Sequence, residues 1–191
     1  MNKIFDSTKK HKLDSPERRE LLNPFKILKE IGLKSGDCFL DIGAGIGYFT
    51  FPALEIVGVS GYVVATDVSQ EMLDEIKNKI PKDIKNYQLI KTEVNSPELI
   101  DIKTDFAFLA FVLHEFNNPI DYLVNLRKFL NNDGKLVILD WKKIESEMGP
   151  PLDHRLSEIE SKMIIENAGY KVEFIKEIND LQYMIICRSN L

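Results

Sequence analysis

The stretch Cys38–Thr50, with the sequence CFLDIGAGIGYFT, decides the fold of this 191-residue chain. It opens with a short apolar run typical of a buried strand, passes Asp41, places glycine at 43, 45 and 47, and then enters an apolar helical pattern. A glycine-rich strand-to-helix turn brings backbone N–H groups and a helix N-terminus to one point. The stretch therefore predicts the place where α/β proteins hold a nucleotide-like ligand, with an acid at the strand's end that repels a pyrophosphate and suits a cation.

The spacing of the glycines separates two kinds of nucleotide site. A dinucleotide site requires G-x-G-x-x-G, and here Tyr48 occupies the position of the third glycine. The chain instead reads D-x-G-x-G-x-G from Asp41 to Gly47. This pattern closely resembles the first motif of the class I S-adenosylmethionine-dependent methyltransferases. The alternative is a glycine-rich turn that binds no ligand.

Strand and helix signals alternate along the chain, which is the pattern of an α/β protein with a mostly parallel sheet covered on both faces. Strands are predicted at 37–41, 62–65, 87–91, 106–113 and 136–139, followed by a hairpin of 172–175 and 183–186. Helices are predicted to start at Pro16, Pro24 and Pro119, at residue 46, and after the caps Ser69 and Ser157. Seven strands ending in an antiparallel hairpin form the Rossmann-like arrangement that the methyltransferase resemblance implies.

Composition and charge limit the possible partners. The chain carries 25 basic and 30 acidic residues, a net charge of −5, which disfavours a sequence-independent grip on nucleic acid. No apolar run reaches the roughly 20 residues of a membrane span, and no signal peptide is recognisable, so a cytoplasmic protein is expected. Cys38 and Cys187 lie in strand-like runs and are expected to be buried thiols, and no Cys/His spacing suggests a metal.

The length suits one domain, so residues 1–191 are predicted to form a single methyltransferase domain. Residues 1–32 are expected to be a helical lead-in around Arg18, Arg19 and Leu22. In the family that the chain resembles, such a segment often lies over the bound cofactor as a lid. The oligomeric state is left open between monomer and homodimer.

Two carboxylates follow the second and third predicted strands. Asp67 ends the second strand, where an acid accepts hydrogen bonds from both ribose hydroxyls; the alternative is a charge favourable to the following helix. Glu93 follows the third strand, where the family often has an acid near the adenine amino group, commonly Asp. With S-adenosylmethionine as the implied cofactor, the residues predicted to contact it are Asp41, Gly43, Ala44, Gly45, Gly47, Asp67, Val68, Glu93, Val94 and Phe111.

The segment that follows the fourth strand carries the candidate catalytic groups. Residues 108–116, FLAFVLHEF, resemble the corresponding segment of small-molecule methyltransferases related to the ubiquinone and menaquinone group, and they lack the Asn/Asp-Pro-Pro-Tyr/Phe motif of enzymes that methylate amide or adenine nitrogens. His114, Glu115 and Asp140 are the candidate bases, although His114 could equally be a structural residue at the strand end. Trp141 and residues 148–152 are expected to shape a substrate pocket, or to form a plain rigid connection.

The resulting hypothesis is methyl transfer from S-adenosylmethionine to a small-molecule acceptor, in which the protein mainly positions the reactants and excludes water. Two other classes stay open at this point. A non-catalytic regulatory protein that binds S-adenosylmethionine would have the same glycine motif. An NAD-dependent oxidoreductase is disfavoured by Tyr48 and by the terminal hairpin.

Overall fold

A computed structural model of the protein describes residues 16–93 and 102–189, with side chains from residue 19 onward. Ser15, the predicted cap of the first helix, and Val94 lie outside these residues. Seven strands within the described ranges form one sheet: β1 (Cys38–Ile42), β2 (Tyr62–Asp67), β3 (Tyr87–Lys91), β4 (Thr104–Ala110), β5 (Leu130–Trp141), β6 (Tyr170–Asn179) and β7 (Gln182–Ser189). The helices are α1 (Pro16–Leu21), α2 (Pro24–Glu30), α3 (Thr50–Val57), α4 (Gln70–Lys79), α5 (Pro119–Leu126) and α6 (Glu158–Asn167).

The strand order is β3-β2-β1-β4-β5-β7-β6. The pairs among β1 to β5 are parallel, whereas β7 runs antiparallel to β5 and to β6. The predicted Rossmann-like sheet with a terminal hairpin is therefore confirmed. This order also differs from the dinucleotide-binding order, in which a sixth parallel strand follows the fifth.

Apolar clusters cover both faces of the sheet. On one face α5 and α6 pack against the central strands, and on the other α2 and α3 pack near β1 and β4 while α4 covers β2 and β3. The central strands are buried on both sides, as a parallel sheet requires. No helix among the described residues is long and apolar enough to cross a membrane.

Three boundaries differ from the sequence prediction, each for a local reason. Helix α3 begins at Thr50 instead of residue 46 because Gly45 and Gly47 have φ values of +56° and +89°, which a right-handed helix excludes. Strand β4 ends at Ala110 instead of residue 113 because Phe111 has φ +63°. Helix α5 gives way after Leu126 to a 3-10 turn.

The fifth strand also starts earlier than predicted. Leu130 already pairs with Thr104, after which residues 131–134 leave the ladder, and pairing resumes between Lys135 and Phe106. The predicted turn at 132–134 is thus an excursion within β5. Asp105 holds it in place, because its carboxylate accepts hydrogen bonds from Asn131 Nδ2 at 2.7 Å and from the Cys38 N–H at 2.8 Å.

The Asp105 contacts generate a stability prediction. Asp105→Ala should lower the free energy of unfolding by about 1–3 kcal/mol, because the variant loses two hydrogen bonds to a charged acceptor. Asp133→Ala, an exposed residue of the same excursion, is the matched control and should leave stability unchanged. Urea unfolding followed by circular dichroism measures both variants, and equal stability of the two would contradict the role assigned to Asp105.

Candidate active site

The glycine turn, residues 43–47, connects β1 to the approach of α3. Its three glycines have φ values of +67°, +56° and +89°, while Ala44 and Ile46 have negative φ. The N–H groups of Ala44, Gly45 and Gly47 donate to Thr66 O, Asp67 Oδ2 and Ala44 O, so internal hydrogen bonds hold the turn in this shape. Glycine is required at these positions because other residues rarely adopt positive φ.

The glycine turn also touches the segment that follows β4. A Cβ atom on Gly43 would lie 2.4 Å from Cγ2 of Val112, and one on Gly47 would lie 2.7 Å from Cε2 of Phe51. Both distances are shorter than real Cβ contacts allow. The absent side chain at Gly43 therefore lets the ends of β1 and β4 approach each other, and the one at Gly47 leaves room for the Phe51 ring of α3.

Asp67 ties the end of β2 to the glycine turn. Its Oδ2 accepts a hydrogen bond from the Gly45 N–H at 2.8 Å, and its Oδ1 accepts one from the Ser69 N–H at 2.8 Å. Burial raises the pKa of this carboxyl group, and the backbone N–H donors oppose that effect. Each carboxylate oxygen can accept a further hydrogen bond, so these contacts are compatible with ribose binding.

Asp41 lies beneath the turn and is only 2% exposed. Its Oδ2 accepts a hydrogen bond from the Thr50 hydroxyl at 2.6 Å. Burial, with a smaller contribution from the charge of Asp67, raises the Asp41 pKa to about 7 despite that hydrogen bond. A positively charged ligand nearby would favour the ionised form of this carboxyl group.

The structure places the other predicted cofactor residues at the same edge with different degrees of exposure. Ala44 is buried, Val68 is half-buried, and Glu93 is exposed just beyond β3. The Thr92 N–H donates to the backbone oxygen of Asp67 at 3.0 Å, which brings the ends of β2 and β3 together. The contacts predicted for Glu93 and Val94 with the adenine stay predictions.

Phe111 and Trp141 form an aromatic shelf at the ends of β4 and β5. Their ring centroids are 5.3 Å apart. Phe111 has the positive φ noted above, unique among the described non-glycine residues, and its N–H donates to Leu139 O at 2.7 Å. Gly149 lies against the Trp141 ring, since a Cβ atom there would be 2.8 Å from Cδ2. Trp141, which is predicted to form a wall of the substrate pocket, therefore lies against the 142–151 loop.

His114 and Asp140 form a buried pair beside the aromatic shelf. Nδ1 of His114 lies 2.8 Å from Oδ1 and 3.0 Å from Oδ2 of Asp140, with 4% and 1% of the two side chains exposed. Glu115, the third candidate base, is half-buried in the same 3-10 turn as His114. The structure thus brings two of the three candidates into direct contact.

Arg155 is a site residue that the sequence analysis did not identify. It is 3% exposed, and its guanidinium group donates to the backbone oxygens of Pro150, Lys142, Ile144 and Met148 at 2.6 to 3.3 Å. It also lies over the Trp141 ring, 5.8 Å from the centroid. One buried arginine therefore fixes the 142–151 loop. No local sequence motif predicts this role.

Comparison with known proteins agrees with this site. A family model described as a methyltransferase domain matches residues 40–136. The fold also superposes on a crystal structure of an S-adenosylmethionine-dependent methyltransferase from Aquifex aeolicus with a TM-score of 0.90 and 38% identity, covering 96% of this chain and 98% of that one. The chain belongs to the class I S-adenosylmethionine-dependent methyltransferase family.

Two further relatives are named for quinone metabolism. The chain is 26% identical over 123 residues to a ubiquinone/menaquinone biosynthesis C-methyltransferase of Marinomonas sp., covering 63% of this chain and 49% of that protein. It is 30% identical over 115 residues to a demethylmenaquinone methyltransferase of Staphylococcus saprophyticus, covering 60% and 49%. The matched stretch spans about half of each relative.

The family and its structural neighbours imply S-adenosylmethionine as the cofactor. The residues present fit such a ligand. The glycine turn has three residues without side chains, which lets a ligand approach the backbone, and Asp67 adds acceptor oxygens beside it. Asp41 and Asp67 add carboxyl groups at this turn, which would attract a cationic ligand when ionised.

The raised pKa of Asp41 predicts a pH dependence. The folded-state pKa of about 7 exceeds the ordinary aspartate pKa of 3.8, so the unfolded chain ionises first as the pH rises. The free energy of unfolding should therefore fall between about pH 4 and 7, by no more than about 4 kcal/mol from this group, and then level off. Asp41→Asn should remove this decline in pH-dependent urea unfolding.

A second variant sharpens this pH prediction. Thr50→Val deletes the hydroxyl that stabilises the Asp41 carboxylate, with little change in shape. The decline in stability should then extend to higher pH at the same slope, because the ionised form loses its donor and a single proton sets the slope. An unchanged profile in both variants would contradict the assignment to Asp41.

The Arg155 contacts generate a prediction about the loop. Arg155→Gln should free residues 142–151, because a side-chain amide cannot reach four carbonyl oxygens. We expect the fluorescence of Trp141, the single tryptophan of the chain, to shift to longer wavelength, and trypsin to cleave faster after Lys142 or Lys143. Arg188→Gln, which loses a more exposed pair with Glu173, is the control and should change neither readout.

Proposed function

We propose that this protein transfers the methyl group of S-adenosylmethionine to a small-molecule acceptor. The observation that carries the proposal is the contact of Asp67 with the glycine turn, which sets a carboxylate beside backbone without side chains at the carboxyl edge of the sheet. Parallel α/β sheets bind their ligands at this edge. When bound, the cofactor supplies an activated methyl group on a positively charged sulfur.

Each part of the site has a separate task in this proposal. The glycine turn and Asp41 receive the amino acid end of the cofactor, Asp67 accepts from the ribose hydroxyls, and Glu93 with Val94 and Val68 borders the adenine. Phe111 separates the cofactor from the acceptor side of the cleft. The 142–151 loop, held by Arg155, excludes water from the acceptor. A site of low dielectric without water favours the transfer of the methyl group.

Three observations support a small molecule as the acceptor. The named relatives act in quinone biosynthesis, the residues after β4 lack the motif of amide and adenine methylation, and the net charge of −5 disfavours nucleic acid. The acceptor side is lined by aromatic rings instead of a basic surface. Because the matched stretch spans half of the named relatives, their acceptor is a candidate to be tested in this chain.

Calorimetry and a transfer assay test the proposal together. The pure protein should bind S-adenosylmethionine and S-adenosylhomocysteine, and methyl-labelled cofactor should transfer its label to a low-molecular-mass cell extract or to a demethylmenaquinone. Binding without transfer to either would favour the regulatory alternative. Thermal stabilisation by NADH, with none by S-adenosylmethionine, would reverse the proposal in favour of an oxidoreductase.

The Asp67 contacts predict a specific loss of affinity. Asp67→Asn keeps the size of the side chain but replaces one acceptor oxygen with a donor and removes the charge. The affinity for S-adenosylhomocysteine should fall about 5- to 150-fold, the range for losing about 1–3 kcal/mol of hydrogen bonding to a charged group. Asp83→Asn, an exposed residue between α4 and β3, should bind like the wild type in the same calorimetric titration.

A further inference from the structure

The buried His114–Asp140 pair has a defined polarity. Both oxygens of Asp140 lie within 3.0 Å of Nδ1, and Oδ1 also accepts the Trp141 N–H at 2.8 Å. A carboxylate in this position requires the proton of the neutral imidazole to reside on Nδ1. The basic lone pair of His114 is then on Nε2.

The two members of the pair are close in sequence to residues of the glycine-turn contact and of the aromatic shelf. Val112, two residues before His114, packs against Gly43 of the glycine turn. Trp141, the next residue after Asp140, packs against Phe111. Phe111 is held at positive φ between these contacts, and strained backbone of this kind clusters at functional sites.

Arg155, Tyr183 and Glu115 are other ionisable residues near the pair. Arg155 lies close enough to Asp140 to interact electrostatically, but Nε and both terminal nitrogens donate to backbone carbonyl oxygens. Tyr183 of β7 is opposite Asp140 in the sheet, and its hydroxyl donates to Leu156 O. Glu115, next in the chain, shares the 3-10 turn with His114. His114 is therefore the ionisable side chain that Asp140 contacts directly.

A buried ionisable pair is an expensive way to stabilise a fold. Apolar residues of similar size often do as well or better, because both members lose their hydration. Such pairs beside a cleft are therefore candidates for chemistry. The pair stands at the ends of β4 and β5, the edge where the cofactor and acceptor are proposed to meet.

We propose that His114 is the general base of the reaction, that Asp140 is its positioning residue, and that the acceptor is a group that gives up a proton when it is methylated. This inference rests on the proposed function. It assigns the acceptor to hydroxyl compounds or acidic carbon atoms, and it excludes tertiary amines, thioethers and anions that attack without losing a proton.

The proposed step is balanced as follows in atoms and charge. A lone pair or carbanionic pair of the acceptor forms the new bond to the methyl carbon. The bond from that carbon to sulfur breaks, and its electron pair stays on sulfur and cancels the positive charge. The acceptor proton passes to Nε2 of His114, giving an imidazolium stabilised by the Asp140 carboxylate, and it leaves to solvent after the product.

Nitrogen-15 NMR of the full chain bound to S-adenosylhomocysteine tests the pair without an acceptor. His114→Gln assigns its signals among the three histidines. We expect an Nδ1-protonated neutral imidazole that protonates reversibly between about pH 5.5 and 8.5, around the ordinary range of histidine. In Asp140→Asn the midpoint should fall by about one to three pH units, because the contacting negative charge is lost. A His114 ring that stays in one protonation state from pH 5.5 to 9, or a midpoint that Asp140→Asn does not move, would overturn the proposal.

The initial rate of label transfer into the cell extract provides the second readout. His114→Gln should lower it about 10²- to 10⁴-fold and remove its rise with pH, and Asp140→Asn should move the rise in parallel with the NMR midpoint. His154→Gln, in the turn before α6, is the control and should keep the wild-type rate and profile. A Glu115→Gln variant that loses the rise with pH, while His114→Gln keeps it, would assign the base to Glu115 and contradict the proposal.

Calorimetry distinguishes failure of the proposed function from failure of the base assignment. If the wild-type protein binds no S-adenosylhomocysteine, the proposed function fails, and the role of the pair fails with it. If binding is intact in the wild type and in His114→Gln but the pH rise persists in the variant, the base assignment alone fails.

Discussion

The hydrogen bond from the Gly45 N–H to Asp67 Oδ2 is the constraint on which the site depends. It joins the turn after β1 to the end of β2 at 2.8 Å, across 22 residues of sequence. The other oxygen accepts from Ser69, so the same carboxylate orients the start of α4. One side chain thereby fixes the shape of the glycine turn, the exit of the second strand and the following helix.

The approach of Gly43 to Val112 extends this constraint to the acceptor side of the cleft. In the segment after β4, Phe111 takes a positive φ and the next residue, Val112, packs against the glycine turn. Such a conformation costs about 1–3 kcal/mol, and it is retained where surrounding contacts over-determine it. Here those contacts are the Trp141 ring and the Leu139 carbonyl. The 3-10 turn that follows brings His114 into contact with Asp140 of β5.

The sequence could predict the parts of the site that depend on local chemistry. The glycine pattern, the position of Asp67 at a strand end and the terminal hairpin all follow from short-range signals, and the sheet order confirms the fold they imply. The capping box of Ser157 and Glu160 is likewise present with both of its hydrogen bonds. Signals of this kind need only a few neighbouring residues, so they survive without knowledge of the tertiary structure.

Contacts between residues that are far apart in the chain could not be predicted from the sequence. His114 and Asp140 are 26 residues apart, and their pairing requires the register of β4 against β5 and the early end of β4 at Ala110. Arg155 gave no signal because its partners are backbone carbonyl oxygens, which every residue possesses. The start of α3 was misplaced since apolar periodicity continues through residues 46–49, whereas backbone conformation at Gly47 decides the helix boundary.

The charges of the cleft connect the fold to the choice of ligand. Asp41 is buried, and its partner among the described residues is the Thr50 hydroxyl; Asp67 is held by backbone N–H groups. Neither carboxylate forms an ion pair with a lysine or arginine in the described ranges, so a cation bound there would receive uncompensated negative charge. A sulfonium is a cation that these carboxylates would attract, whereas a pyrophosphate is an anion that they would repel. Methyl transfer removes the positive charge from sulfur, so carboxylates that attract the cofactor would hold its product less tightly, and the electrostatics of such a site would favour turnover.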